Sequence, residues 1–200
     1  MAKGKTVRRT RRGGHDVMAL GLPDQRRLDD DIKELFAKCE EKLGLVPNVL
    51  RAYTLRPEKL RRFGRFYNEV MLGESGLTKL EREMIAVVVS SANRCFYCLV
   101  AHGAAVRELS GDPVLGDMLV MNYRVAPLGR RQRAMLDFAW KLTEAPFRVE
   151  EPDRQALRDA GFDNEDIFDI GETIGFYNFS NRMAYTTDMM PNKEYHKADR

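Results

Sequence analysis

The 200-residue chain has little cysteine, histidine or tryptophan: three, three and one. Three cysteines cannot build the disulfide framework of a small secreted domain. No apolar run approaches the roughly 20 residues that a membrane helix needs; the segment MIAVVV at 84–89 suits a buried helix instead. No segment alternates apolar and polar residues long enough to read as a strand, so the expected fold class is all-α. The N-terminus is basic but lacks the apolar segment of a secretory signal, so a cytoplasmic setting is expected. Acidic residues are missing from positions 1–12, which hold Lys3, Lys5, Arg8, Arg9, Arg11 and Arg12. With a net charge of +3, the chain beyond those six cations carries −3, which argues against a basic nucleic-acid-binding body.

What is present reads as one soluble domain, 44% hydrophobic and 32% charged. Residues 1–16 read as a disordered basic arm, 17–190 as the all-α domain and 191–200 as a loose end. Residues 17–28 look like an extended lead-in. Helices are then expected over 29–43 (stopped by Gly44), from 46 to 55, and from Pro57 to 72. Further helices follow over 79–91, 95–109, 113–122, 130–143 and 151–160, with a long last one over 164–186. Thr78 and Glu81 have the spacing of a capping box. Gly171 and Gly175, four apart, suggest that another helix comes close. Cys39 falls on an apolar stripe and is expected to be a buried, inert thiol. A faint echo of LTKLEREMI (77–85) in LGRRQRAML (128–136) would, if a duplication, leave a structural second copy, since Ala134 stands where Glu83 stands.

The chemistry concentrates between Glu83 and His102. The spacing is Glu83, eleven residues, Cys95, two residues, Cys98, three residues, His102. On a helix, at about 100° per residue, Cys95, Cys98 and His102 fall within about 60° of one another. Two thiols three apart at a helix start can close a disulfide with little backbone movement. An imidazole one turn on can exchange protons with them. On one continuous helix Glu83 would lie about 18 Å away, so a break is required. The segment SSANR at 90–94 supplies it, with Asn93 suited to a cap or a left-handed position. Both thiols then sit in the first turn of a new helix, where free N–H groups stabilise a thiolate. The apolar run after Glu83 implies burial, which would make its carboxylate a better base.

This pattern, with CFYCLVAHGA around the thiols, GLVPNVLRAYTLRPEKL upstream and FYNFSNRMAYTTD downstream, resembles the AhpD-like alkylhydroperoxidases of the carboxymuconolactone decarboxylase superfamily. The match is better to their peroxidase-related branch and covers most of residues 20–190. The resemblance implies an AhpD-like helical fold with the C-x-x-C at a helix start, and a thiol-dependent peroxidase that assembles as a homo-oligomer. It implies Cys98 as the peroxidatic cysteine, Cys95 as proton donor and resolving thiol closing a Cys95–Cys98 disulfide, and Glu83 and His102 as a proton relay. No cofactor or metal is implied; the substrate is a peroxide, and an external dithiol protein restores the thiols. Tyr97 departs from the AhpD proteins proper, which carry histidine there; it either packs or lines a substrate channel.

Other readings of the same residues remain. A carboxymuconolactone decarboxylase-like lyase would not depend on the C-x-x-C pair. A redox sensor would form the disulfide without turning over. A zinc site would want four ligands, and no second Cys/His cluster accompanies the motif, since His15 and His196 lie near the two ends.

Overall fold

The computed structural model describes residues 17–200, so the basic arm expected over 1–16, and His15 with it, lie outside the described residues. Among the described residues there are nine α-helices and no strand. They are α1 (Asp30–Leu43), α2 (Asn48–Tyr53), α3 (Pro57–Leu72), α4 (Lys79–Ala92), α5 (Phe96–Ser110), α6 (Pro113–Asn122), α7 (Arg130–Glu144), α8 (Glu151–Asp159) and α9 (Asn164–Thr187). Local signals set the ends. Gly44, Gly111 and Gly161 take positive φ just past α1, α5 and α8, where a Cβ would be strained. Pro57 and Pro113 open α3 and α6 within the first turn, where the missing N–H is no loss. The Thr78 hydroxyl accepts from the Glu81 N–H while the Glu81 carboxylate accepts from the Thr78 N–H, the reciprocal cap anticipated for α4.

α4 is the axis of the fold and packs against α5, α6, α7 and α9. Residues 81–90 are all buried, and Met84 through Val89 have no exposed surface. A helix apolar on every side has to be central. Apart from Ala86, each of these side chains contributes about 1.5–3 kcal/mol on burial. Charges share that interior only with partners. Arg82 donates to the carbonyls of Val70 and Gly73, and Glu81 accepts from Arg131 Nε at 3.1 Å. α7, the echo of α4, packs against it and adds nothing to the cavity described below.

Three expectations need correction. The lead-in over 17–28 is not simply extended: Gln25–Arg27 form a 3-10 turn capped by Asp24, and Met18 is fully buried. Gly171 and Gly175 do not face another helix among the described residues, because a Cβ at either would meet nothing within 4 Å. The close approach is between α5 and α6, where a Cβ on Gly116 would lie 2.6 Å from Arg107 Cγ and 3.3 Å from the Gly103 carbonyl oxygen. Residues 191–200, expected to be loose, are anchored. Lys193–His196 form a 3-10 turn, and the buried Arg107 donates to the carbonyls of Tyr195 and Ala198 at 2.9 and 3.0 Å. The Asn192 side chain also ties this segment to Val46 and Asn48.

Candidate active site

The break between α4 and α5 folds the acid back onto the thiols. α4 ends at Asn93, a right-handed C-cap, and the left-handed residue is Arg94 with φ 56°. The Cys95 N–H then bonds to the Ser90 carbonyl at 2.8 Å, closing a Schellman turn without glycine. A left-handed arginine costs on the order of 1 kcal/mol, and the Tyr185 hydroxyl, 2.6 Å from the Arg94 carbonyl oxygen, helps to hold it. Cys95 is the N-cap of α5 and Cys98 its third residue. With the chain reversed, α5 runs back along α4, and His102 Nδ1 comes 2.6 Å from Glu83 Oε2. The residues expected to form the site therefore converge as a carboxylate–imidazole pair beside a pair of free thiols.

The two thiols differ in environment. They hydrogen-bond to each other. The Cys98 thiol, donating to Cys95, holds the Cys95 pKa down at about 7 against burial, helped by the N–H groups of the open first turn and by His102. The same contact with Cys95, reinforced by burial, pushes Cys98 well above the ordinary thiol range, while hydrogen bonds from Asn181 and Ser90 pull it down. The pair thus loses one proton near neutrality and keeps the second, shared between two sulfurs. The two thiols also differ in access: Cys98 lines a cavity of about 530 Å³, and Cys95 does not.

Glu83, His102, Tyr97 and Tyr177 line the same cavity. Tyr97 is buried beside this cavity and lines it, and its hydroxyl accepts from the Val49 N–H at 3.0 Å. Cys39 is half-buried on that wall rather than sealed in the core. The C-terminal segment closes one side through Glu194, Tyr195 and Ala198. Met18, Met189 and Ala184 belong to the same buried cluster as the two cysteines.

Sequence reading missed the polar bed under Cys98. Asn181 Nδ2 donates to Ser90 Oγ at 3.0 Å, and Asn93 Nδ2 donates to Asn181 Oδ1 at 2.9 Å. Asn181 and Ser90 are the two side chains that lower the Cys98 pKa against burial. Ser90 and Asn93 lie in the segment read only as a break, and Asn181 in the downstream stretch FYNFSNRMAY. A buried asparagine in an otherwise apolar stripe was the available signal. Among the described residues no three His, Cys, Asp or Glu side chains converge as a metal ligand set.

Comparison with known proteins identifies the family and the fold. Residues 57–113 match the carboxymuconolactone decarboxylase family. No functionally curated protein matches the chain. A peroxidase-related protein from Silicibacter sp. TM1040 is 60% identical, with 96% of this chain and 100% of that one covered and a TM-score of 0.92. A peroxidase-related protein with an alkylhydroperoxidase AhpD core, from Ralstonia eutropha JMP134, is 43% identical, with 93% and 98% covered and a TM-score of 0.90. The debrominase Bmp8, solved with tribromopyrrole, shares the fold at 19% identity, with 92% and 97% covered and a TM-score of 0.77. By sequence and fold, the chain belongs to the AhpD-like, peroxidase-related branch of the carboxymuconolactone decarboxylase superfamily.

Proposed function

We propose that the protein is a thiol-dependent peroxidase that reduces organic hydroperoxides through Cys98 and Cys95. One observation carries this reading: the cavity wall that presents Cys98 also presents the Glu83–His102 pair, with Cys95 directly behind. Cys98 and His102 are four apart on α5 and so side by side. The proton that the thiol pair has lost is held at His102, with Nδ1 on Glu83, and the one proton the two sulfurs still share passes from Cys98 to Cys95, leaving Cys98 as the thiolate. The Cys98 thiolate attacks the distal oxygen; the S–O bond forms as the O–O bond breaks, and the alkoxide takes the Cys95 proton and leaves as alcohol. The Cys95 thiolate then attacks the Cys98 sulfenic acid. The S–S bond forms, and hydroxide leaves as water with the proton stored at His102 and Glu83. Two thiols are oxidised to a disulfide and one hydroperoxide is reduced. An external dithiol protein reverses the oxidation by exchange, with no cofactor.

A cytoplasmic setting, where thiols stay reduced, belongs to the same proposal. So does a homo-oligomer: Phe168 and Phe179 are 70% and 50% exposed, and both lie on the side of α9 that carries the open Gly171 and Gly175. A decarboxylase-like lyase would leave the two thiols without a task, and a redox sensor would form the disulfide without sustained turnover. The test is peroxide consumption by the reduced protein with a dithiol supplied, with mass spectrometry of the Cys95–Cys98 peptide before and after. Steady consumption that is abolished by Cys98→Ser supports the peroxidase; a disulfide without turnover would establish the sensor.

A further inference from the structure

Among the described residues, three that line the cavity have buried hydroxyls without a hydrogen-bond partner. Tyr177 is 1% exposed, its ring is set edge-on to His102 at 4.7 Å, and its hydroxyl has no hydrogen-bond partner. Ser180 Oγ and Tyr53 Oη are buried and unpartnered in the same way. All three residues line the cavity that Cys98 lines. A buried hydroxyl left unpaired costs about 1–3 kcal/mol, and folded proteins pair the great majority of them. Among the described residues only one other buried side-chain polar atom, Arg82 Nε, lacks a partner, so the deficit concentrates on this wall.

The rest of the lining is largely apolar, including Leu35, Phe63, Phe176 and Met183. The volume of about 530 Å³ falls within the range of small-organic-ligand sites. It is many times the roughly 30 Å³ share of a water molecule, so hydrogen peroxide would leave it largely unfilled. Tyr177 and Ser180 are three apart on α9 and therefore project from one side of it. Burial, with the Glu83 carboxylate nearby, pushes the Tyr177 phenol well above its ordinary range, so it remains a hydrogen-bond donor.

We infer that the Tyr177 hydroxyl, with that of Ser180, is the subsite that holds the oxygen of an apolar organic substrate against Cys98. The inference rests on the cavity being the substrate site of the proposed peroxidase. Tyr177 then sets specificity. It donates to the oxygen of an aryl or long alkyl hydroperoxide, and of the product alcohol, while the apolar wall takes the carbon body. No covalent step passes through it.

The test is binding of cumyl alcohol and of cumene, the same body without the oxygen, to the reduced protein by NMR titration. Tyr177→Phe keeps the ring and removes only the donor. It should weaken cumyl alcohol about five- to tenfold, the worth of one neutral hydrogen bond, and leave cumene unchanged. Ser180→Ala should shift the same ligand in the same direction. Equal affinities of wild type and Tyr177→Phe for the alcohol, equal weakening of both ligands, or no binding of either by wild type would overturn the subsite. Selective weakening of the alcohol in a protein that consumes no peroxide would keep the subsite and refute the peroxidase.

Discussion

Replacing Cys98 with alanine isolates the contact that makes Cys95 acidic. The Cys95 pKa of about 7 lies two units below the 9.0 of a free thiol, and the hydrogen bond from Cys98 is the largest cause. Two units correspond to roughly 3 kcal/mol, of the order that one hydrogen bond to a charged group can supply. Burial opposes the shift, and the helix N-terminus and His102 assist it by less. Cys98→Ala should therefore return the Cys95 midpoint to the ordinary thiol range or above it. Cys98→Ser, which keeps an O–H donor at the same place, should leave the midpoint close to 7. The measurement is thiolate ultraviolet absorbance against pH, in a Cys39→Ser background so that Cys95 is the single thiol. A midpoint that stays near 7 in Cys98→Ala would refute the reasoning and move the cause to the helix terminus and the imidazole.

Stability of the reduced protein should depend on pH with a definite sign. The folded pKa of Cys95 is depressed, so the unfolded chain binds more protons between pH about 7 and 9, and stability rises across that window. Above it the raised pKa of Cys98 reverses the trend. Urea midpoints of the oxidised protein, which has neither titrating thiol, should lack this dependence, and an identical profile for both forms would contradict it. Glu83→Gln keeps the shape but removes the charge opposite His102; disulfide formation by hydroperoxide should slow about a hundredfold in stopped flow, within the usual range for losing a proton relay. An unchanged rate would remove Glu83 from the relay. Gly175→Leu meets open space within the subunit, so helicity by circular dichroism should persist while sedimentation shows smaller particles; unchanged assembly would place the interface elsewhere.

The sequence determined whatever is decided within a few residues. Thr78 and Glu81 cap α4 because their groups are within one turn, and Gly44, Gly111 and Gly161 end helices because φ is a property of a single residue. The motif spacing likewise set the phase of Cys95, Cys98 and His102 and required a break after Glu83, since helical geometry is periodic. Only the tertiary structure decided what stands opposite. A glycine reports a missing Cβ, not a neighbour, which is why Gly171 and Gly175 suggested a contact that the chain makes instead at Gly103 and Gly116. Asn181 at the sulfur, Tyr177 edge-on to His102, Met18 clustered with the thiols and the C-terminal segment held by Arg107 all join residues far apart in sequence. Their apposition follows from how α5 and α9 pack on the buried α4, and no local spacing encodes it.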